Sequence, residues 1–205
     1  MNDAARAIPA VGRRPVHTRR VVCEGFARDD GLFDIEGTLT DTKPFVLALP
    51  ERAVEAGQPI HQMTVRLAID RDFVIHEAEA RTLRAPYAVC GDITDSYRKL
   101  VGLRIQPGFT QAVKRRFRGV LGCSHMTELL PPMATTAFQI LWSKPDGFGG
   151  ADAQDSPLRS SPLGGCHALR LDGRVVRQHF PHLLCAARPV LRSNPDEGPF
   201  GHENE

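Results

Sequence analysis

The first half of the chain alternates apolar and polar residues with a period of two, which is typical of half-buried β-strands. Over residues 32–41, one side carries apolar residues from Phe33 to Leu39, and the other side carries acidic residues and threonines. Residues 28–31, with the sequence RDDG, supply a turn to an earlier strand over residues 19–26. The pattern therefore predicts a β-hairpin.

A second hairpin is predicted over residues 60–82. Apolar residues alternate from Met63 to Ile69, and residues 71–72 supply the turn. His61 begins the inward side of this strand. An imidazole is therefore expected at one end of a buried face.

After Pro86 the apolar residues recur every three or four positions, which is the helical period. Pro131 and Pro132 are expected to end one helix and begin the next, because proline suits a first helical turn and not an interior one. Strands followed by helices predict an α+β fold, in which antiparallel β-hairpins of the N-terminal half are packed by short helices of the C-terminal half. The predicted helices run from Asp92 or Thr94 to near Gly102, over 109–118, from a Ser124 cap to 130, and over 133–142.

Length and composition limit the number of domains. The chain has 205 residues, of which 41% are hydrophobic and 24% charged, and this suits one globular domain with a sizeable core. Residues 15–185 are therefore predicted to form a single α+β domain. Few residues near either end can be buried, so 1–14 and 186–205 are predicted to be disordered tails. Residues 144–165 are rich in Gly, Pro, Ser and Asp and are predicted to form a mobile loop.

Charge and cysteine content exclude several classes of protein. The formal charge of +2 is too small for a protein that coats nucleic acid, and no apolar stretch is long enough to span a membrane. The basic run over residues 114–118 is expected to be the outer face of an amphipathic helix. An unknown small molecule or a ligand of the acyl-carrier type is the expected partner. Five cysteines without a secretory signal predict a cytoplasmic protein with reduced thiols.

Several short blocks, taken in chain order, resemble one family. The main blocks are DDGLFDIEG at 29–37, PIHQM at 59–63, GCSH at 122–125, TTAFQ at 135–139 and CHAL at 166–169. On these blocks the chain resembles an uncharacterised bacterial family, the domain-of-unknown-function family numbered 2889, over residues 14–181. Gln62 departs from the Asp that is common in that family, and Ser124 replaces a Thr. The resemblance implies a bacterial protein but no activity, because the family has none assigned.

Cysteine and histidine residues form the most suggestive candidate site. Thiolate and imidazole are the ligand set of zinc, and of iron where coordination positions stay open. Cys123 and His125 are two residues apart, so they can share an ion only if Cys123 precedes the first helical turn. A helix cap at Ser124 allows that arrangement. The predicted metal ligands are Cys90, Cys123, His125 and Cys166, with zinc or iron as the ion.

Three further residues are candidates for acid–base chemistry. Glu128 lies three residues after His125, on the same helical face, so both side chains can act on one ion or one substrate. His61 begins a buried strand face, and Asp34 lies between glycines that permit close approach of the backbone. We therefore expect Glu128, Asp34 and His61 to be catalytic groups.

Other uses of the same residues stay open. Cys123 beside a helix N-terminus is a candidate nucleophile, for which His61 or His167 would have to supply the base through the fold. The CGD segment at 90–92 has a short likeness to iron–sulfur scaffold proteins. The cysteines can also be small buried residues without a chemical role. The sequence thus predicts a small metal- or thiol-dependent enzyme with a Cys/His/Glu site or, alternatively, a non-catalytic binding or accessory module.

Overall fold

The structure, a computed structural model, describes residues 11–144, 147–148 and 163–181, and its main element is a four-stranded antiparallel sheet. The strands of this sheet stand in the order β1-β2-β5-β6, so the two predicted hairpins lie side by side and β2 pairs with β5. The described strands are β1 (Thr18–Ala27), β2 (Phe33–Thr42), β3 (Leu47–Ala48), β4 (Ala53–Val54), β5 (Pro59–Ile69), β6 (Ile75–Arg84), β7 (Ser143–Lys144) and β8 (Gly147–Phe148).

The helices follow the strands, which confirms the predicted α+β class. The described helical segments are the 3₁₀ turns Ala88–Gly91, Thr94–Leu100 and Gly119–Leu121, and the helices α1 (Phe109–Arg116), α2 (Ser124–Trp142) and α3 (Arg174–His179). On α1 the predicted charged face is exposed, and Val113 is buried on the other side. None of the helices in the described residues is long and apolar enough to cross a membrane.

The sheet has a buried face and an exposed face, as the alternating pattern predicts. On β2, Ile35 and Leu39 are fully buried, whereas Glu36 between them is exposed. On β5, burial alternates in the same way from Met63 to Leu67. Helix α2 packs on the buried face.

Gly37 lets α2 approach the middle of β2 closely. A Cβ atom built on Gly37 would lie 2.6 Å from Met133 Sδ and 3.6 Å from Leu129 Cβ. Met133 and Leu129 are fully buried, as are Met126 and Leu130 on the same helix. Each such side chain contributes roughly 1.5–3 kcal/mol relative to an exposed one, so this contact is a large part of what holds the helix on the sheet.

Helix α2 is continuous, so the predicted break at Pro131 and Pro132 is wrong. A proline inside a helix removes an N–H donor and crowds the carbonyl four residues earlier, at a cost of about 3 kcal/mol. Leu130 before the prolines and Met133 after them are both fully buried. Because both halves of the helix bury apolar side chains, packing keeps them in line in spite of the prolines.

Cys123 holds the N-cap position of α2, one residue before the predicted cap at Ser124. Its carbonyl oxygen accepts the first helical hydrogen bond, from the N–H of Thr127 at 2.9 Å. Its own N–H donates to the hydroxyl of Tyr97 at 3.0 Å. That hydroxyl also lies 2.8 Å from Thr127 Oγ1, and Tyr97 is fully buried. The beginning of α2 is therefore fixed by a buried tyrosine.

The chain divides into two compact units, and the boundary along the chain falls between Ala137 and Phe138. The described residues of the second unit comprise the last residues of α2, the short strands β7 and β8, turns over 163–172 and helix α3. The single domain over residues 15–185 stays a prediction. Three other predictions concern residues that lie mostly or entirely outside the described ones. They are the disordered tails 1–14 and 186–205 and the mobile loop 144–165.

The two edges of the sheet differ. At the beginning of β6, Ile75 accepts a hydrogen bond from the N–H of Gly102 at 2.8 Å and donates one to the carbonyl of Leu103 at 2.9 Å. The segment after the 3₁₀ turns thus covers that end of the edge. At the other edge, β1 pairs only with β2 among the described strands, and nearly all of its residues are exposed.

Candidate functional site

Asp41 is the one charged side chain that is buried among the described residues, with 1% of its surface exposed. It lies near the end of β2, on the face that also carries Ile35 and Leu39. A buried carboxylate is costly unless it is paired or bound to a metal ion. The groups around Asp41 therefore define the candidate site.

Strand β1 supplies two partners of Asp41. Arg19 is its cross-strand neighbour and donates from Nε to Oδ1 and from Nη2 to Oδ2, both at 2.8 Å. This bidentate pair fixes the orientation of the carboxylate. His17 Nε2 lies 3.1 Å from Oδ1 of Asp41, and Arg19 Nη1 donates to Glu128 Oε2 at 2.6 Å. Arg19 thus links Asp41 to an acidic residue of α2.

Strand β5 places His61 directly opposite Asp41. The imidazole Nδ1 of His61 lies 3.2 Å from Asp41 Oδ2, but the ring is not aligned for a hydrogen bond to that oxygen. This Nδ1 is buried and has no hydrogen-bond partner within the part of the chain that the structure describes. Asp41 and His61 therefore touch without satisfying that nitrogen.

Helix α2 contributes His125 from its first turn. His125 Nε2 lies 3.5 Å from Asp41 Oδ2, and the rings of His61 and His125 are stacked with centroids 3.9 Å apart. On the other side of the His125 ring, Nδ1 lies 3.9 Å from Cys123 Sγ, which in turn lies 3.7 Å from Met63 Sδ. His125 therefore stands between the thiol and the carboxylate.

Asp41, His61 and His125 can present their ligand atoms to one point. One atom from each residue forms a group within 4.8 Å, and among the described residues no other such group of His, Cys, Asp or Glu is found. In a tetrahedral zinc site with bonds of about 2.0–2.1 Å, neighbouring ligand atoms stand about 3.3–3.4 Å apart. The distances from Asp41 Oδ2 to the two imidazole nitrogens, 3.2 and 3.5 Å, bracket that value.

The surroundings set the charges of these three groups. Burial lowers the pKa of His61, and the neighbouring His125 lowers it further, against the opposing effect of Asp41. Burial also lowers the pKa of His125, with Arg19 acting in the same direction. For Asp41, burial favours the neutral acid, but the hydrogen bonds and charge of Arg19 outweigh it and hold the pKa below its usual value. Neutral imidazoles and an ionised carboxylate are the forms that bind metal.

The residues predicted from the sequence fall into two groups. His61 and His125 meet at Asp41, Cys123 lies beside His125, and Glu128 is joined to the site through Arg19. Cys123 precedes the first turn of α2, which is the condition under which Cys123 and His125 can share a site. The roles assigned to these residues stay predictions.

Among the remaining predicted residues, Asp34 and Cys90 lie apart from this group. Asp34 lies on the opposite face of β2, where it accepts a hydrogen bond from Arg66 at 2.9 Å. Cys90 is half-buried in a 3₁₀ turn, and its carbonyl accepts a hydrogen bond from Thr82 Oγ1 at 3.2 Å. Cys166 is exposed in the second unit. Cys90 is not among the converging ligand atoms of the described residues, and the role of Cys166 as a metal ligand stays a prediction.

Asp41 is the residue that the sequence reasoning did not select as a ligand. Its signal is the alternation itself, because 35, 37, 39 and 41 must lie on one side of a strand. An acidic residue that continues an apolar side is expected to be buried, and therefore to have a specific partner. Pairing β2 with β5 would then have placed it beside His61.

Comparison with known proteins gives a family match and nothing more specific. A family profile described as "Protein of unknown function (DUF2889)" matches residues 17–139. The match covers the sheet and most of α2, and it ends before the block at 166–169. Neither curated proteins nor solved structures gave a significant match.

Proposed function

The chain belongs to the DUF2889 family of proteins of unknown function, and we propose that it is a metal-dependent protein whose ion is held by Asp41, His61 and His125. The ion is zinc or ferrous iron, since both take two imidazoles and one carboxylate. Three protein ligands leave at least one coordination position for water or a substrate. We therefore propose that the protein is an enzyme acting on a small molecule.

The observation that carries the proposal is the buried Nδ1 of His61, which has no hydrogen-bond partner among the described residues. A buried nitrogen without a partner costs about 1–3 kcal/mol. When the proton of His61 is on Nε2, the lone pair of Nδ1 faces a carboxylate oxygen at 3.2 Å and is repelled by it, and a cation bound by both atoms removes the repulsion. The arrangement therefore makes better sense as two ligands than as two hydrogen-bonding groups.

Asp41 has the capacity to bind an ion while it is paired with Arg19. Each carboxylate oxygen offers about two acceptor sites. Oδ1 accepts a hydrogen bond from Arg19 and faces His17, whereas Arg19 is the one donor to Oδ2 among the described residues. The remaining site of Oδ2 is the one that the two imidazoles approach. Arg19 thus orients Asp41 as a ligand and keeps it ionised.

Chemistry at the bound ion would be Lewis-acid activation of water or of a substrate oxygen. The residue best placed to move a proton there is Glu128, because its side chain is 58% exposed and is held at the site by Arg19. His17 is also partly exposed, and it contacts the same carboxylate from β1. These roles belong to the proposal, as does the choice of a small-molecule substrate.

A thiol-dependent enzyme is the second candidate, and one observation favours it. Cys123, His125 and Asp41 form a chain in the order nucleophile, base and carboxylate, with distances of 3.9 and 3.5 Å. A nucleophile and its base normally lie about 2.6–3.2 Å apart. Because both distances are longer than that, and because His61 has no role in such a chain, the metal proposal is preferred.

Metal titration of chain purified without an affinity tag tests the proposal. Dialysed protein is titrated calorimetrically with zinc, and anaerobically with ferrous iron, and the metal content of the untreated protein is measured. We expect one equivalent of one metal per chain. Asp41→Asn keeps the shape of the side chain but removes the charge, so affinity should fall by more than about 100-fold, beyond the loss caused by changes to groups behind a ligand.

Matched variants separate the two candidates. Asp34→Asn removes a carboxylate from the other face of the same strand, and it should leave metal affinity unchanged. Cys123→Ser should also retain the ion, whereas a thiol-dependent enzyme would lose its reactive group. Absence of stoichiometric binding, or equal affinity in the Asp41→Asn and Asp34→Asn variants, would falsify the metal proposal.

A further inference from the structure

Strand β1 is a long exposed edge with features of an interface. Its ten residues lie at the edge of the main sheet, and Val22 and Phe26 on its outer face are 49% and 47% exposed. Edge strands in soluble proteins usually carry proline, bulges or charged residues, lysine above all, that prevent pairing with another strand, and the charges of β1 are Arg19, Arg20 and Glu24. β1 contains neither proline nor lysine, and its pairing with β2 is regular from end to end. With respect to the described residues, the backbone groups on the outer side of β1 are therefore available to another strand.

Two charged residues on the outer face of β1 lack an opposite charge. In the described residues neither Arg20 nor Glu24 makes an ion pair or a side-chain hydrogen bond. Glu24 instead stands directly opposite Glu36 of β2, on the same face. Like charges at directly opposite positions are unfavourable. A positive charge on the free side of β1, beside Glu24, would relieve this repulsion.

We propose that β1 pairs antiparallel with β1 of a second copy of this chain, about a two-fold axis at Val22. The two four-stranded sheets then form one continuous sheet of eight strands. In this register Arg20 of each copy faces Glu24 of the other, and the two Val22 side chains meet at the axis. The inference is independent of the metal proposal, because the Asp41 group is complete within one copy.

The register follows from the pattern of side chains. Residues directly opposite in an antiparallel pair lie on the same face, so a symmetric pairing must match even positions with even ones. Centring the axis on residue 21 would place Arg20 opposite Val22, and centring it on residue 23 would place Arg20 opposite Phe26. Only the axis at Val22 gives two Arg–Glu pairs, and it also lies near the middle of the strand.

The same register suits the inner face. Val21, which is 44% exposed, would face Cys23 of the second copy, so two apolar side chains are covered. Arg19 would face Gly25 of the second copy. Because glycine has no side chain, nothing there would compete with the hydrogen bonds from Arg19 to Asp41.

Sedimentation velocity of the full chain, run as a concentration series, tests the proposal. We expect a species with twice the chain mass of 22.6 kDa. Arg20→Glu and Glu24→Arg should each shift it to monomer, because each places two like-charged pairs across the axis. The double variant Arg20→Glu with Glu24→Arg exchanges the charges, and it should restore the dimer. Thermal melts of all three check that they fold.

Disulfide cross-linking at the two-fold axis is a second, independent test of the dimer. In antiparallel pairs, opposite Cα atoms lie about 4.5 or 5.5 Å apart. This is inside the range of about 4.4–6.8 Å that disulfides span. Val22→Cys should therefore form a covalent dimer on mild oxidation. The wild-type chain and Thr40→Cys, on the same face of β2 but one strand further in, should not.

Two outcomes would overturn the proposal. One is a chain that stays monomeric at about 100 µM, well above the micromolar to picomolar constants of interfaces of standard size. The other is a dimer that neither charge reversal affects and that Val22→Cys does not cross-link, because it must then use another surface. If the monomer nevertheless protects the β1 amides from hydrogen exchange, another segment of the same chain covers the edge.

Discussion

The two faces of the main sheet carry charged groups of opposite character. On the outer face, Arg66 donates to Asp34 at 2.9 Å, to Glu77 at 2.8 Å and to Glu79 at 3.2 Å, and these four side chains are 21–48% exposed. On the inner face, Asp41 is 1% exposed and is surrounded by one guanidinium and three imidazoles.

The difference lies in how completely each group is satisfied. In the outer network the guanidinium and the carboxylates pair with one another in water, an arrangement that usually contributes little to stability. In the inner group, Asp41 forms hydrogen bonds with nitrogen atoms of His17 and Arg19. Two further nitrogen atoms, from His61 and His125, approach the same carboxylate without forming a hydrogen bond to it. Structural ion pairs do not need that excess, whereas a metal site does. This excess of nitrogen atoms favours the inner face as the site of the proposed ion.

The largest effect should come from removing the inner carboxylate. In metal-free protein, Asp41→Asn removes the ion pair of Arg19 with the buried carboxylate and leaves Arg19 paired only with the exposed Glu128, and we expect the free energy of unfolding to fall by about 2–3 kcal/mol. This loss is below the roughly 3–5 kcal/mol that breaking a fully buried pair costs, because Arg19 is 37% exposed. Urea denaturation measures it. Asp34→Asn is the control, with an expected loss under about 1 kcal/mol, and equal losses would contradict the contrast.

A smaller effect is expected from acid. The folded chain holds the pKa of His61 and His125 below the ordinary 6.5, so below pH 6.5 the unfolded chain binds protons that the folded chain does not. Stability of the metal-free protein should therefore fall as the pH drops through this window. In the outer network, hydrogen bonds from Arg66 lower the pKa of Glu77 and Glu79, so their contribution is lost only below about pH 4.5.

The variant with both His61→Asn and His125→Asn isolates this effect. Urea denaturation at pH 7.5 and pH 5.5 should show a smaller difference in the variant than in the wild type. Arg66→Gln should leave the difference unchanged. A wild-type chain that becomes more stable at pH 5.5, by an amount that the double variant loses, would contradict the lowered pKa values of the two imidazoles.

The smallest effect should come from the outer network itself. Arg66→Gln removes three exposed or half-exposed ion pairs, and we expect a loss of about 0.5–1 kcal/mol of unfolding free energy. Metal affinity should not change, because the side chain lies on the other side of the sheet. High salt should reduce the stability difference between wild type and variant. An effect of Arg66→Gln on metal binding would mean that the two faces are coupled.

The fold was predictable wherever the signal was local. Alternation over residues 32–41 and 63–69, with turn residues between the strands, is enough to specify both hairpins. The continuity of α2 could not be predicted in this way. The rule against internal proline uses only local sequence, whereas the burial of Leu130 and Met133 depends on contacts with distant parts of the chain. In α2, tertiary packing outweighs the low helix propensity of proline.

The candidate site was predictable only in part. His61 and His125 were selected for their chemistry, and the structure brings both to Asp41. Cys90 was selected for the same reason, but position along the chain does not show which element ends meet in space. Finding Asp41 required the pairing of β1, β2 and β5, because its partners are 22, 20 and 84 residues away in sequence. Those pairings are long-range and leave little trace in a single sequence.

Gly37 determines how closely helix α2 approaches strand β2 near the Asp41 group. His125 belongs to a rigid helix and Asp41 to a strand, so the gap between their ligand atoms depends on how high the helix stands above the sheet at Gly37. Any side chain at that position must either displace Met133 or lift the helix. Zinc–ligand bonds tolerate deviations of only about 0.2 Å. For the proposed ion, the lack of a side chain at Gly37, four positions from Asp41, therefore keeps His125 and Asp41 close enough to bind it together.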